Sequence, residues 1–337
     1  MLNERRRHVL QALVEEYIHS GQPVGSRSLV DRHRLDCSPA TVRNELAALE
    51  ETGYVYQPHV SSGRIPTDLG YREFVDDILQ DSAAASSLGA REMTQRYARL
   101  AGEIDDLMRQ TSTMLSHLTH YVAVVLAPTV SLATVRRIDL VSMSPTRALV
   151  VLITESGQVV NRHIELAEET SQERFSQVEV AINAALAGKR ASEVRSLREA
   201  LDPARPGDGV VAGVMEELLE CLEEADRDRL YHVGVPELLA LPEFAESARL
   251  RPLLGLLEDG LAMLDTLSET MQATGLTVSI GSENRRSELG GMSLVATTYA
   301  TPSADGVIGV IGPTRMDYTR SIAAVRAAAE GLEDVLG

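Results

Sequence analysis

Ser38-Pro39-Ala40-Thr41-Val42-Arg43-Asn44-Glu45-Leu46 is the stretch on which the reading of this chain turns. A serine ahead of a proline starts a helix: the hydroxyl accepts an orphaned backbone N–H, and proline at the first helical position loses nothing by lacking one. Val42, Leu46 and Leu49 recur at i, i+4 and i+7 and predict one buried stripe, with Gly53 as the stop. Thr41, Asn44, Glu45 and Ala48 then face outward, with Arg43 at the margin. Asn can pair with two positions of adenine, Thr offers a hydroxyl and a methyl, and Arg clamps guanine or phosphate.

Upstream, Val9, Leu10, Leu13, Val14, Tyr17 and Ile18 predict a helix over 3–19, closed by Ser20-Gly21-Gln22-Pro23. A second helix is expected over 27–34 with Ser26 as its N-cap. Downstream the period changes to that of strands: Tyr54-Val55-Tyr56 and Arg64-Ile65 flank the turn-rich His59-Val60-Ser61-Ser62-Gly63. Three short helices and a hairpin predict a winged helix-turn-helix, with the third helix presented to a major groove. The candidate DNA-binding residues are Thr41, Arg43 and Asn44 on that helix, and Ser38 with the helix-start amides for a phosphate. Arg27 and Ser28 on the preceding helix are candidates for the DNA backbone. His59, Ser61, Ser62, Gly63 and Arg64 in the wing are candidates for the backbone or the minor groove.

Charge agrees once it is divided along the chain. The protein carries 32 Lys and Arg against 49 Asp and Glu, a net −17, but the first 72 residues hold nine of each. The remaining 23 basic and 40 acidic residues put the whole deficit in the body. A neutral, Arg-rich head and an acidic body predict that DNA contact is confined to the head.

A further helix is expected over 69–80, then a small, polar linker run at 81–87 and a long helical pattern over 90–119. Strands are expected at 121–126, 135–143, 148–154 and 159–164, a helical acidic block at 171–228, and a strand at 231–235. A helical pair at 242–271, strands at 276–280, 293–300 and 306–311, and a helix at 318–336 complete the pattern. The fold class is therefore α+β. No stretch approaches the roughly 18 apolar residues of a membrane span, and no signal-peptide pattern is present, so a cytoplasmic protein without membrane association is expected. Cys37 and Cys221 have no Cys or His neighbours, which suggests neither a disulfide scaffold nor zinc.

The segments 38–50, Gly53-Tyr54, 58–72 and Gly309-Val310-Ile311-Gly312-Pro313-Thr314-Arg315-Met316-Asp317-Tyr318 together resemble the heat-inducible transcription repressor family, HrcA, in order along the chain. The resemblance implies a winged-helix domain at 1–80, a linker and long helix at 81–120, and a central GAF-like α/β domain at 121–170 plus 233–337. It also implies a dimerising domain, helical or mixed, inserted at 171–232. It further implies a homodimer that represses chaperone operons through an inverted-repeat operator on double-stranded DNA, promoted by the chaperonin and relieved on heat stress.

Other chemistry is thinner. His117-x-x-His120 has no third ligand, so no metal is expected. Gly281-Ser282-Glu283-Asn284 with Gly290-Gly291 lacks a positioned nucleophile and base, so neither catalysis nor a cofactor is expected. Thr314, Arg315 and Asp317 form a candidate regulatory loop, facing a ligand in a GAF-like pocket or simply capping the last helix. A metabolite-responsive regulator using that pocket, and an adaptor whose winged helix binds protein, are the competing classes.

Overall fold

The computed structural model describes residues 2–81 except 61, 104–128, 133–189 except 156, 158 and 167, 193, 209–226, 229–244, 250–259, 262–263, 266–267, 275–301 and 305–336. In the head, α1 (Glu4–Ser20) is capped by the Asn3 side chain and closes on Gly21, whose left-handed φ of 63° lets its N–H return to Tyr17. Helix α2 (Ser26–His33) begins one residue earlier than expected: Gly25 is the N-cap and Ser26 the first helical residue. Helix α3 (Pro39–Glu51) starts as the sequence predicts, with Ser38 Oγ accepting from Thr41 N at 3.1 Å. Val42, Leu46 and Leu49 are buried, each such side chain contributing roughly 1.5–3 kcal/mol. Strands β1 (Val55–Tyr56) and β2 (Ile65–Pro66) form the wing, and α4 (Asp68–Asp81) packs on α1. The linker run at 82–87 and the first part of the expected long helix lie outside the described residues.

The body follows with α5 (Ile104–Thr119), β3 (Val122–Leu126), β4 (Val135–Ser144), β5 (Arg147–Thr154), β6 (Val159–Glu165), α6 (Gln172–Leu186) and α7 (Gly209–Asp226). Next come β7 (Leu230–Val233), α8 (Val235–Leu239), α9 (Arg251–Glu258), β8 (Thr277–Ile280), β9 (Met292–Tyr299), β10 (Gly306–Pro313) and α10 (Tyr318–Leu336). Five strands form one sheet in the order β7-β3-β10-β9-β8. Every pairing among the described residues is antiparallel, so the chain is α+β even in the central domain for which α/β was expected.

The sheet is covered on both faces, which is why its central strands read as unbroken apolar runs. Ala123, Val125, Val295, Ile308 and Val310 face Met108 and Leu115 of α5 and Ile322, Val325 and Leu332 of α10. Val122, Val124, Leu294, Val307 and Ile311 face Leu238 of α8 and Leu253, Leu256 and Leu257 of α9.

Strands β4–β6 form a separate three-stranded meander. They share a core with α6 and α7 through Ile138, Val150, Leu152, Phe175, Ile182, Val214 and Leu218. Strands β3 and β7, which flank this whole unit in sequence, are sheet neighbours with Leu126 opposite Leu230. By packing, β4–β6 therefore group with α6 and α7 and not with the five-stranded sheet, with which the family resemblance grouped them. Alternation along a strand reveals which face is buried, not which sheet buries it.

Candidate nucleic-acid interface

Burying Val42, Leu46 and Leu49 turns the opposite side of α3 to solvent. Its exposed stripe is Ala40, Arg43, Asn44 and Ala47, with Thr41 half-buried beside it. The outward position is thus Ala47, since Ala48 is half-buried. Arg43 and Asn44 are exposed and their side chains make no hydrogen bond or ion pair among the described residues, whereas Glu45 is held by Arg6 at 3.0 Å. Ser38 is exposed but already engaged: its Oγ caps the helix and lies 2.9 Å from Thr41 Oγ1. Arg27 is exposed and Ser28 half-buried on α2.

The wing is built by residues of which the sequence reading noticed only some. Ser62 Oγ donates to His59 O at 2.7 Å and accepts from His59 N at 3.0 Å, closing the turn on itself. Gln57, which that reading passed over, donates from Nε2 to the carbonyls of Val60 and Ser62, each at 2.9 Å. Gly63 lies against the backbone of Val24, where a Cβ would come within 2.4 Å of the Val24 carbonyl. Arg64 and Val24 exchange two backbone hydrogen bonds of 2.9 Å, and the Arg64 guanidinium reaches Glu50 of α3 at 2.8 Å. Gly63 and Arg64 thus brace the wing against α1–α2 and α3. What the wing presents outward is His59 and the fully exposed Val60. Ser61 lies outside the described residues.

Pairing also sorts the cations of the head. Arg6, Arg7, Arg32, Arg64 and Arg72 are each tied to a carboxylate, whereas Arg5, Arg27, Arg34 and Arg43 are exposed and make no ion pair among the described residues. Arg34 was missed by the sequence reading. It occupies the turn between α2 and α3 in a left-handed conformation, φ 50°, and an Arg inside a helix-turn-helix turn was the available signal.

The Thr314–Asp317 loop lies at the junction of head and body. Arg315 Nη1 donates to Ile18 O at 3.2 Å and its Nε pairs with Glu243. Asp317 caps α10, accepting from Arg320 N at 2.9 Å, while its own N–H donates to Tyr121 OH at 3.0 Å. Thr314 and Arg315 line a half-open cavity of about 740 Å³ together with Tyr17, Tyr56, Tyr71 and Glu243. Burial raises the Tyr17 phenol and pushes that of Tyr71 well above the usual tyrosine value. His117 and His120 are both exposed at the end of α5, and no group of three or more metal-ligating side chains occurs among the described residues.

The family model described as the HrcA protein C terminal domain matches residues 105–322. The heat-inducible transcription repressor HrcA of Nocardioides sp. is 40% identical over 338 residues, covering 100% of this chain and 99% of that protein. The one from Cutibacterium acnes is 41% identical over 335 residues, covering 98% and 97%. A crystal structure of a hypothetical protein aligns over 100% of this chain and 99% of its own at 24% identity with a TM-score of 0.61, a shared fold.

Proposed function

The chain belongs to the HrcA family of heat-inducible transcription repressors, and from that premise we propose that it represses chaperone operons by binding an inverted-repeat operator as a homodimer. The observation that carries the reading is the exposed Ala40-Arg43-Asn44-Ala47 stripe of α3, whose two hydrogen-bonding side chains are uncommitted among the described residues, beside a braced wing. Asn44 reads a base edge, Arg43 a guanine or a phosphate, and Thr41 supports them from the same helix turn. Arg5, Arg27 and Arg34 neutralise phosphates, and His59 and Val60 carry the wing into the neighbouring groove. The acidic body keeps nonspecific DNA away from the rest of the surface.

Two heads on one two-fold axis read two half-sites. A chaperonin that binds the DNA-competent form preferentially raises its population, and heat stress withdraws that support. The work is cytoplasmic and includes no catalytic step or cofactor. No helix among the described residues is long and apolar enough to cross a membrane.

The test is fluorescence anisotropy on the inverted repeat of a chaperone promoter, with and without chaperonin. Asn44→Ala and Arg43→Ala should each weaken binding about 5- to 150-fold, the 1–3 kcal/mol of a lost base contact, without altering dimer mass. Binding unchanged in both variants would remove the assignment. A second reading, a regulator answering to a small metabolite, is favoured by the cavity of about 740 Å³ between head and body, which falls within the usual range of ligand sites. Thermal-shift screening against nucleotides and common metabolites tests it, and an unmoved melting curve throughout counts against it.

A further inference from the structure

Two motifs that DNA binding leaves unused, the Gly281–Asn284 loop and the Thr314–Asp317 loop, converge on the head. Asp68, the first residue of α4, accepts from both the backbone N and the Oγ of Ser282, at 2.8 and 2.7 Å. One turn further along the same helix face, Arg72 presents its planar fork to Glu283. Nε meets Oε1 at 2.8 Å, Nη2 meets Oε2, and Nη2 also donates to Val278 O at 2.6 Å. Gly281 has φ 49°, and a Cβ there would lie 2.5 Å from the Asp68 carboxylate, so the loop is shaped around a side chain of the head. On the far side of the junction, Arg315 holds the carbonyl of Ile18 in the last turn of α1, where the helix dipole favours a cation. Between the two attachments the Tyr71 ring packs on Tyr318 with centroids 5.8 Å apart.

An isolated surface ion pair would stabilise little. Attachments at α4 and α1 with an aromatic contact between them do something different: they remove the rotations that any one alone would leave. None of these residues belongs to the exposed stripe of α3 or to the outward residues of the wing. We propose that Asp68, Arg72 and Arg315, with Ser282, Glu283 and the Ile18 carbonyl, form a latch that fixes the head's orientation on the body and so sets the separation of the two recognition helices in a dimer. They are positioning residues for operator reading, and that last clause rests on the DNA-binding function proposed above.

The experiment measures head orientation first and DNA second. In the full-length chain, with Cys37 and Cys221 replaced by Ala, spin labels go on Val60→Cys at the wing tip and on Leu239→Cys in the body, both exposed. Excess unlabelled protein isolates the intrachain distance. The parent should give one narrow distance, Arg72→Ala with Arg315→Ala a distribution at least twofold broader, and Arg72→Lys an intermediate width because it keeps the charge without the fork. An Asn44→Ala control should leave the width untouched. A double variant as narrow as the parent overturns the latch. The second arm uses operators whose half-sites are moved apart by one to five base pairs. Breaking the latch should cut a roughly tenfold spacing preference to near unity while affinity for a single half-site changes less than twofold. A spacing preference that survives overturns the clause about helix separation. A parent that binds no operator removes the DNA-binding function and leaves the distance measurement to decide the latch.

Discussion

Gly63→Ala tests whether the wing works as a braced element. A methyl at residue 63 would lie 2.4 Å from the Val24 C and O atoms and 2.6 Å from its N, against ordinary carbon contacts of about 3.5–4.0 Å. All three are backbone atoms, so no side-chain rotation relieves the overlap, and the segments must separate by about an ångström. That breaks the pair of 2.9 Å hydrogen bonds between Val24 and Arg64. At about 0.5–1.5 kcal/mol each, their loss destabilises the head by roughly 1–3 kcal/mol. For a unit of this size the melting transition should fall by about 4 °C or more. The displaced wing should also weaken operator binding, and about 1.4 kcal/mol of lost contact is tenfold. Gly53→Ala is the control, because Gly53 has φ 81° but open space around it. It should cost roughly 1–2 kcal/mol of backbone strain while the wing stays attached and operator affinity stays near parental. Calorimetry and anisotropy read both variants. A Gly63→Ala protein that melts within about 1 °C of the parent and binds equally well would refute the argument.

Ser38→Ala removes the cap of α3 and should cost about 1 kcal/mol in denaturant unfolding of the head; no shift in midpoint would mean water replaces the hydroxyl. Gly255→Ala, within α9 and with no atom within 4 Å of the added carbon, should stabilise by about 0.5–1 kcal/mol, read as a raised urea midpoint. With four arginines per head (5, 27, 34 and 43) that make no ion pair among the described residues, a dimer neutralises about eight phosphates through them, so log K against log salt should have a slope no steeper than about −7; a markedly steeper slope would mean that paired arginines are released on binding. Burial holds the Tyr71 and Tyr318 phenols above the unfolded tyrosine value of about 10. Their contribution is therefore fully present below pH ~10 and lost as pH rises beyond it, and Tyr318→Phe should flatten the fall in unfolding free energy from pH 9 to 11.

Local signals were legible in the sequence wherever one residue type has one physical reason to be present. Ser38-Pro39, the Gly21 stop and the buried stripe of α3 all stand where spacing put them, because capping and periodicity act within a few residues. Strand positions were legible for the same reason, and the unbroken apolar run Val122–Leu126 stands as a strand buried on both faces. Assignments between distant residues were not. Nothing in Leu152 says that β4–β6 form a sheet of their own, and nothing in Glu50 says that it takes Arg64 away from a phosphate. Glu283 attracted notice for its glycine neighbours, while its partner Arg72 lies 211 positions upstream. Ser62 and Gly63 were singled out for DNA, and the structure gives both a task inside the wing.

The charge boundary near residue 72 is consequently not a packing boundary. A single apolar cluster runs from Leu10, Leu13 and Leu49 through Tyr71, Phe74 and Val75 to Tyr318, Ile322 and Val325, joining head to body without a break. Arg72, the last cation of the neutral segment, spends its charge on Glu283 of the acidic one. A head tethered only by a chain would read half-sites at any spacing the tether allowed, and its affinity would carry the entropy of that freedom. A head that shares an apolar cluster with the body stays docked, and the polar contacts of Arg72 and Arg315 set its orientation there. Conditions that loosen this cluster on the body side therefore loosen the head through the same contacts.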